Sequence, residues 1–472
     1  MNFEWSLIID FGIIAIALAL ATFIRSKVSF FQSFLVPNSI IAGFLVLPFY
    51  NWLAPLFGIT QAGLQNIVFH LLNLTFIALA LRPASPRDGV SRAVIGTATI
   101  IISQLTFQAL IGLGLTFLFI IIPQLPNLFP NYGAIVTMGF SLGPGQAFSI
   151  GLGWEELGFS EAGGLGLIFG AIGFIIACFG GVVLINLGIR RGYIKFDPAE
   201  ISLRRSQTGL LKRGEKQPVG MRLTTRAEAI DTLSFKMMAV FVVYFLTYLL
   251  LKLITGILMQ FGGVIAQVAE SFWGIMFVFG LIVALIIKWV LGKAKLDHLL
   301  DTGGLTRISG TTVDFMVVAA LGAISLAVIR TNWMPILVFS GFISIVTALT
   351  ILWMCSRMFQ DDFAFERAIV FWGALTGTLS TGLALLRSID PELKTPAARD
   401  YIYASAITFF FVLPLVFTMG FPALAVDREN NTLILIYLAV LVFYFLMVLI
   451  GFRLLNRKHK IFSYQIWYKS NQ

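Results

Sequence analysis

This chain is poor in charge. Asp, Glu, Lys and Arg make up 12% of its residues, against about 25% in a soluble domain, so the composition excludes an ordinary soluble protein. Cysteine is nearly absent as well. Cys178 and Cys355 each lie in or at the edge of an apolar run, which excludes a disulfide framework and leaves them as small packing residues. Three histidines, His70, His298 and His459, supply no His/Glu zinc pattern or Cys/His cluster, and no phosphate loop is present. A basic segment before the first apolar run is also lacking. "MNFEW" carries an acid there, and Arg25 and Lys27 follow the run, so the first helix is expected to be retained instead of cleaved.

What the chain has is oil: 58% of its 472 residues are hydrophobic. About 20 apolar residues cross a hydrocarbon core of ~30 Å. Runs of that length predict spans at about 5–24, 35–56, 66–83, 93–122 and 160–189, then 237–260, 271–292, 306–329, 333–355, 400–421 and 432–454. Two more segments, about 131–153 and 366–388, are apolar but too rich in Gly, Pro, Ser and Thr for ordinary spans. They are expected to be re-entrant.

The net charge of +10 does not point to nucleic acid, because the basic residues sit in the connections between apolar runs. With the N-terminus outside and both irregular segments re-entrant, all 33 basic residues except Lys252, Arg330 and Arg428 fall on the inner side, as the positive-inside rule requires. Turning either segment into a full span would reverse every later loop. The expected organisation is a first repeat over 1–189, a basic cytoplasmic linker over 190–236, a second repeat over 237–421, and an additional span with a basic inner tail over 422–472. The linker's charge suits anionic lipid, although retention at the inner face already accounts for it.

The two irregular segments match each other. In "AIVTMGFSLGPGQAFSIGL" (134–152) and "AIVFWGALTGTLSTGLALL" (368–386), a constant offset of 234 residues aligns Ala134, Ile135, Val136, Gly139, Gly143 and Leu152 with Ala368, Ile369, Val370, Gly373, Gly377 and Leu386. Each falls between the fourth and fifth span of its half, and the charge distribution makes them enter from opposite faces. The fold expected is therefore an all-α polytopic membrane protein: an inverted-topology repeat of two five-helix halves, each with a re-entrant hairpin, plus one extra C-terminal helix. Many secondary transporters are built this way. Irregular backbone at membrane depth is tolerated where protein buries it or where it lines a watery cavity. In "GFSLGPGQA" (139–147), Pro144 removes a backbone donor and the glycines permit a tight turn, which reads as a hairpin tip.

These motifs, with "IRSKVSFFQSFLVPNSIIAGFL" near the start, make the chain similar over nearly its whole length to the bacterial sodium:glutamate symporter family, within a wider class that includes the 2-hydroxycarboxylate transporters. The resemblance implies sodium-driven uptake of an acidic solute through a bacterial cytoplasmic membrane. It also implies two hairpin tips meeting at the site and one part of the protein moving elevator-fashion against a scaffold. Where the family usually reads Gly-Gly-His-Gly-Thr-Ala, this chain has "LGPGQA", and where it reads Gly-His-Cys-Gly-Phe-Gly, this chain has "WGALTG". The expected partners are a small anionic solute and membrane lipid, with a homodimer open and no nucleic acid.

Individual residues follow from this frame. Ser141, Gly143, Gly145 and Gln146 at the first tip, and Thr376, Thr378, Ser380 and Thr381 at the second, are the expected substrate-binding groups, although Ser and Thr also occur at plain helix interfaces. Arg387 could meet a substrate carboxylate bidentately or serve as an inner-face anchor. Asp314, with Thr312 and Asn73, is the candidate sodium set: an acid inside a span is a functional hypothesis by default. The bland alternative pairs Asp314 with Arg307, and amides such as Asn73 often merely bridge helices.

Two other classes fit the sequence less well. "GFSLG" matches a Gly-x-Ser-x-Gly motif, but neither the strand that should precede it nor the helix that should follow it in a soluble hydrolase is expected here, and only His70 could serve Ser141 as a base. No enzyme activity is expected. A channel would commonly show pore motifs or rings of charge, whereas duplicated hairpins from opposite faces suit alternating access.

Overall fold

The computed structural model describes residues 5–34, 36–83, 91–194, 210, 213–214, 219–226, 228–261, 269, 272–359, 361, 363–390, 395–427 and 431–456, with the side chains of Ser380 and Ala406 excepted. Among these residues there are helices and no strand. The first half contains α1 (Ser6–Lys27), α2 (Ser29–Ser33), α3 (Asn38–Pro48), α4 (Ala62–Leu81), α5 (Arg92–Ile121), α6 (Tyr132–Ser141), α7 (Pro144–Glu155) and α8 (Ala162–Arg190). The second contains α9 (Thr232–Met259), α10 (Met276–Lys293), α11 (Thr302–Gly322), α12 (Leu326–Met358), α13 (Ala364–Thr376), α14 (Leu379–Arg387), α15 (Pro396–Thr418), α16 (Phe421–Asp427) and α17 (Thr432–Leu455).

Among the described residues ten helical stretches are long and apolar enough to cross a membrane, so the protein is a multi-pass helical membrane protein. Large apolar side chains such as Phe23, Phe245 and Phe443 face outward, where hydrocarbon would cover them. The eleventh expected span, 306–329, is α11, which is too polar to count among the ten. It tolerates its polar residues because it is wedged between α3 and α4. Leu321 packs on Gly43, Gly322 on Val46 and Leu64, and the hydroxyls of Thr75 and Thr312 meet at 2.8 Å. The chain then enters α12 seven residues before the expected start of 333. Asn332 breaks helical geometry inside α12 (φ −109°, ψ 16°), near the boundary read from the sequence, and sets Leu326–Thr331 apart as a connection.

Polar caps and basic loops collect at one end of the bundle. Asp301 caps α11 through Gly304 N and pairs with the buried Lys236, whereas Arg82 reaches Thr306 and receives Lys288 on its carbonyl. At the opposite end Asn51 and Gln61 both donate to Ile324 O, and Asn131 donates to Met419 O. The extra helix α17 lies along α5 and α12: Phe452 stacks on Trp353 with ring centroids 4.7 Å apart, and Gly451 packs on Thr99.

The offset of 234 residues reappears in the helix starts. Arg92 and Leu326 open α5 and α12, Ala162 and Pro396 open α8 and α15, and the breaks inside the two irregular segments fall at Gly143 and Gly377.

Candidate functional site

Both irregular segments are helix–break–helix hairpins laid against α8 from its two ends. In the first, Gly143 takes a positive φ of +97° and Pro144 opens α7. Only glycine adopts that φ without strain, and proline at a first helical position forfeits no hydrogen bond. The legs α6 and α7 return to the same end: Phe129, just before α6, stacks on Phe159, just after α7, at 4.7 Å. Along α7, Gly151 meets Ala162, Ala147 meets Gly166 and Pro144 meets Gly170, so the tip lies eight residues into α8.

The second hairpin climbs from the other end. Phe365 packs on Gly188, the Trp372 indole donates to Ala177 O (3.2 Å), and Thr376 O would lie 2.2 Å from a methyl group placed on Gly173. Leu385 on the returning leg packs on Gly181. The two breaks therefore meet near the middle of α8. A methyl group on Gly143 would sit 3.3 Å from Thr378 Cγ2. Polar bonds join the tips: Ser141 Oγ donates to Gln108 Oε1 (2.7 Å), and Gln108 Nε2 donates to Leu375 O and Thr347 Oγ1 (both 3.1 Å). Gln108 thus satisfies a carbonyl left open where α13 ends, as a buried helix terminus requires.

Beside the second tip lies a cavity of about 600 Å³, bounded by α1, the first turn of α3, α11 and the second hairpin. Asp314 opens into it and accepts from the Ser39 side chain. Arg25 lines it too, with its Nε donating to Val36 O at 3.0 Å, and Thr378 and Thr381 close the hairpin side, their hydroxyls 3.3 Å apart. Asn38, at the start of α3, donates to Leu18 O and Thr22 Oγ1. A helix N-terminus with unpaired amides favours an anion. Arg25 and that turn offer positive potential on one side, whereas Asp314 offers a hard oxygen ligand on the other.

The expected site residues divide accordingly. Thr378, Thr381 and Asp314 are brought together at the cavity. Ser141 and Gly143 form the contact between tips, and half-buried Gln146 makes no hydrogen bond among the described residues. Gly145 packs on Met316 and Leu72, and Thr376 directs its hydroxyl to Trp372 O (2.6 Å) inside its own helix. Thr312 faces Thr75, across the helix from Asp314, and Asn73 is fully buried with its amide on Phe69 O. The three expected sodium ligands are thus not gathered at one point. Arg387 is exposed at the end of α14 and does not line the cavity. The Ser380 side chain lies outside the described residues. Asp314 does not pair with Arg307, which packs by Gly220. His70 bonds the Tyr244 hydroxyl (2.7 Å).

Sequence reading missed Arg25, Asn38, Ser39 and Gln108. Arg25 counted only as a topology signal, and the others are uncharged amides and a hydroxyl without spacing to mark them. Comparison of the chain with known protein families, with curated proteins and with solved structures returned no match.

Proposed function

We propose that this protein is a secondary active transporter that carries glutamate or a related carboxylate solute, coupled to sodium, across a bacterial cytoplasmic membrane by elevator-like alternating access. The observation that carries the reading is the meeting of the two chain breaks. They occupy equivalent positions of a 234-residue repeat, approach from opposite ends of α8, and touch beside a cavity holding Arg25, Asp314 and hydroxyls. Backbone breaks at membrane depth belong where they line a solute path, and paired breaks of opposite entry characterise inverted-repeat carriers. In this reading the N-terminus is outside, the C-terminus inside, and both hairpins are re-entrant. A 2-hydroxycarboxylate or dicarboxylate carrier is the second reading, because Arg25 and the α3 turn suit any carboxylate. A hydrolase has less support: Ser141 bonds Gln108, and His70 bonds Tyr244.

Proteoliposomes test this directly when acidic amino acids and di- and tricarboxylates are offered under sodium and proton gradients imposed separately. The sodium gradient alone should drive uptake of at least one of them. Asp314→Asn should then raise the sodium concentration for half-activation about tenfold or more, because one charged ligand of a hard cation is lost, at normal protein levels in the membrane. Unchanged sodium activation would reassign Asp314 to packing or to direct solute contact.

A further inference from the structure

Glu366 stands in the first turn of α13, outside the ten spanning stretches. Its side chain is fully buried, and neither carboxylate oxygen has a hydrogen-bond partner. The surrounding charges explain why no cation reaches it. Arg367, next in sequence, directs its guanidinium away: Nε and one terminal nitrogen donate to Asp400 (3.1 and 2.7 Å), and both terminal nitrogens donate to Asp361 (2.5 and 2.8 Å). Asp390, beyond α14, is buried and accepts from Thr395 N at 2.8 Å. The elements packed against α13 carry other titratable groups: Arg92 on α5, Tyr132 on α6, Cys178 and Arg190 on α8 with Tyr193 beyond it, Arg330, Cys355 and Arg357 on α12, Arg387 on α14, and Arg399, Tyr401 and Tyr403 on α15. None of them bonds Glu366. One buried arginine thus stands among three buried acids, Glu366, Asp390 and Asp400; it bonds Asp400, Asp390 accepts from Thr395 N, and Glu366 is left with no hydrogen bond.

A carboxylate removed from water without a hydrogen bond is far costlier than the neutral acid. We propose that Glu366 is a proton-binding site, protonated while the second hairpin is packed on α8 and deprotonated when its first turn parts and hydrates. Burial pushes its carboxyl from the ordinary 4.5 up to about 7, opposed by the charge of Arg367 and reinforced by those of Asp361 and Asp390. The sign follows from linkage. The packed hairpin is most stable below about 4.5, loses stability as pH rises to about 7, and changes no further above that. Proton binding and hairpin closure thereby become one equilibrium, through which a proton can modulate or accompany the transport cycle.

The proposal rests on the carrier reading only in taking the hairpin as a moving part, so its test needs no transport. Hydrogen exchange over residues 364–387 would be measured on the purified full chain in nanodiscs between pH 4.5 and 8, corrected for intrinsic exchange. Protection should fall on the order of a hundredfold across this range, at tenfold per pH unit between the two proton affinities. E366Q, neutral at every pH, should hold protection level. Should E366Q fold poorly, E366M serves with a second readout, the infrared carbonyl stretch of a protonated acid at pH 6, present in the parent and lost in the variant. A parent without pH-dependent protection in this segment, a variant that keeps the parent's pH dependence, or an infrared band that survives substitution would overturn the assignment. Absent uptake with these results intact would strike the carrier reading alone.

Discussion

Arg367→Ala is expected to destabilise the protein by about 3–5 kcal/mol, the cost of leaving a buried ion pair with one partner. The side chain is 2% exposed and makes four hydrogen bonds to Asp361 and Asp400, with Asp400 1% exposed. Its guanidinium also lies over the Phe359 ring at 4.4 Å. These contacts tie the root of the second hairpin to the loop before it and to α15 after it. Lysine cannot reproduce the fork, so R367K should recover only part of the loss. Removing both charges, as in R367M with D400L, should recover more than R367K, because no buried charge is then left unpaired. Thermal unfolding of the purified protein reads all three. An R367A protein that melts with the parent would mean that the acids are neutral and the arginine dispensable.

Arg25→Ala is the second large effect, on affinity instead of stability. A charge-assisted hydrogen bond contributes about 1.5–3 kcal/mol, so losing the guanidinium at the cavity should weaken binding of a carboxylate solute about 10- to 150-fold. The same residue ties the chain before α3 through its bond to Val36 O, which contributes to folding. R25K separates the two roles, since lysine keeps a point charge at the cavity but loses the planar fork. Equilibrium binding to the purified protein should place R25K between the parent and R25A. Unchanged affinity in a well-folded R25A would move the anion site away from the α3 turn.

Arg25 also shows where sequence reading stops. Its position after the first apolar run has a full explanation in membrane topology, so nothing in the sequence asked for a second role. The hairpins were far more legible. Gly143 and Gly377 stand in matching positions of a repeat visible in the chain, and the structure breaks both hairpins there. What could not be read was which hydroxyls remain available. Thr376 and Thr378 are two residues apart, yet one is turned onto its own helix and the other lines the cavity, because α13 ends between them. Asp314 and Thr312 likewise looked like one ligand set in sequence, whereas the 100° step of a helix sends residues two apart to opposite sides. Gln108 was illegible for another reason: its partners, Ser141, Thr347 and Leu375, come from three other helices.

The second span runs Asn38–Phe57 against an expected 35–56, but the type of helix inside it was not legible. α3 is read correctly as apolar but gives way to a π-turn at Phe49–Leu53 and a 3-10 turn at Ala54–Phe57, neither of which alters composition. Asp10 passed unnoticed inside the first span. It is buried and accepts from the Tyr50 hydroxyl while Gly63 leaves room for its carboxylate, a satisfied intramembrane acid with a structural explanation of its own.

In the proposed reading the facing hairpins belong to a coupled carrier and not to a pore. Solute accumulation in sealed proteoliposomes tests it most directly, with the internal concentration of a labelled dicarboxylate or acidic amino acid followed under an inward sodium gradient. The internal concentration should rise above the external one, and the excess should collapse when sodium is equalised by an ionophore. Solute that only equilibrates down its own gradient, at a rate indifferent to sodium, would contradict that reading.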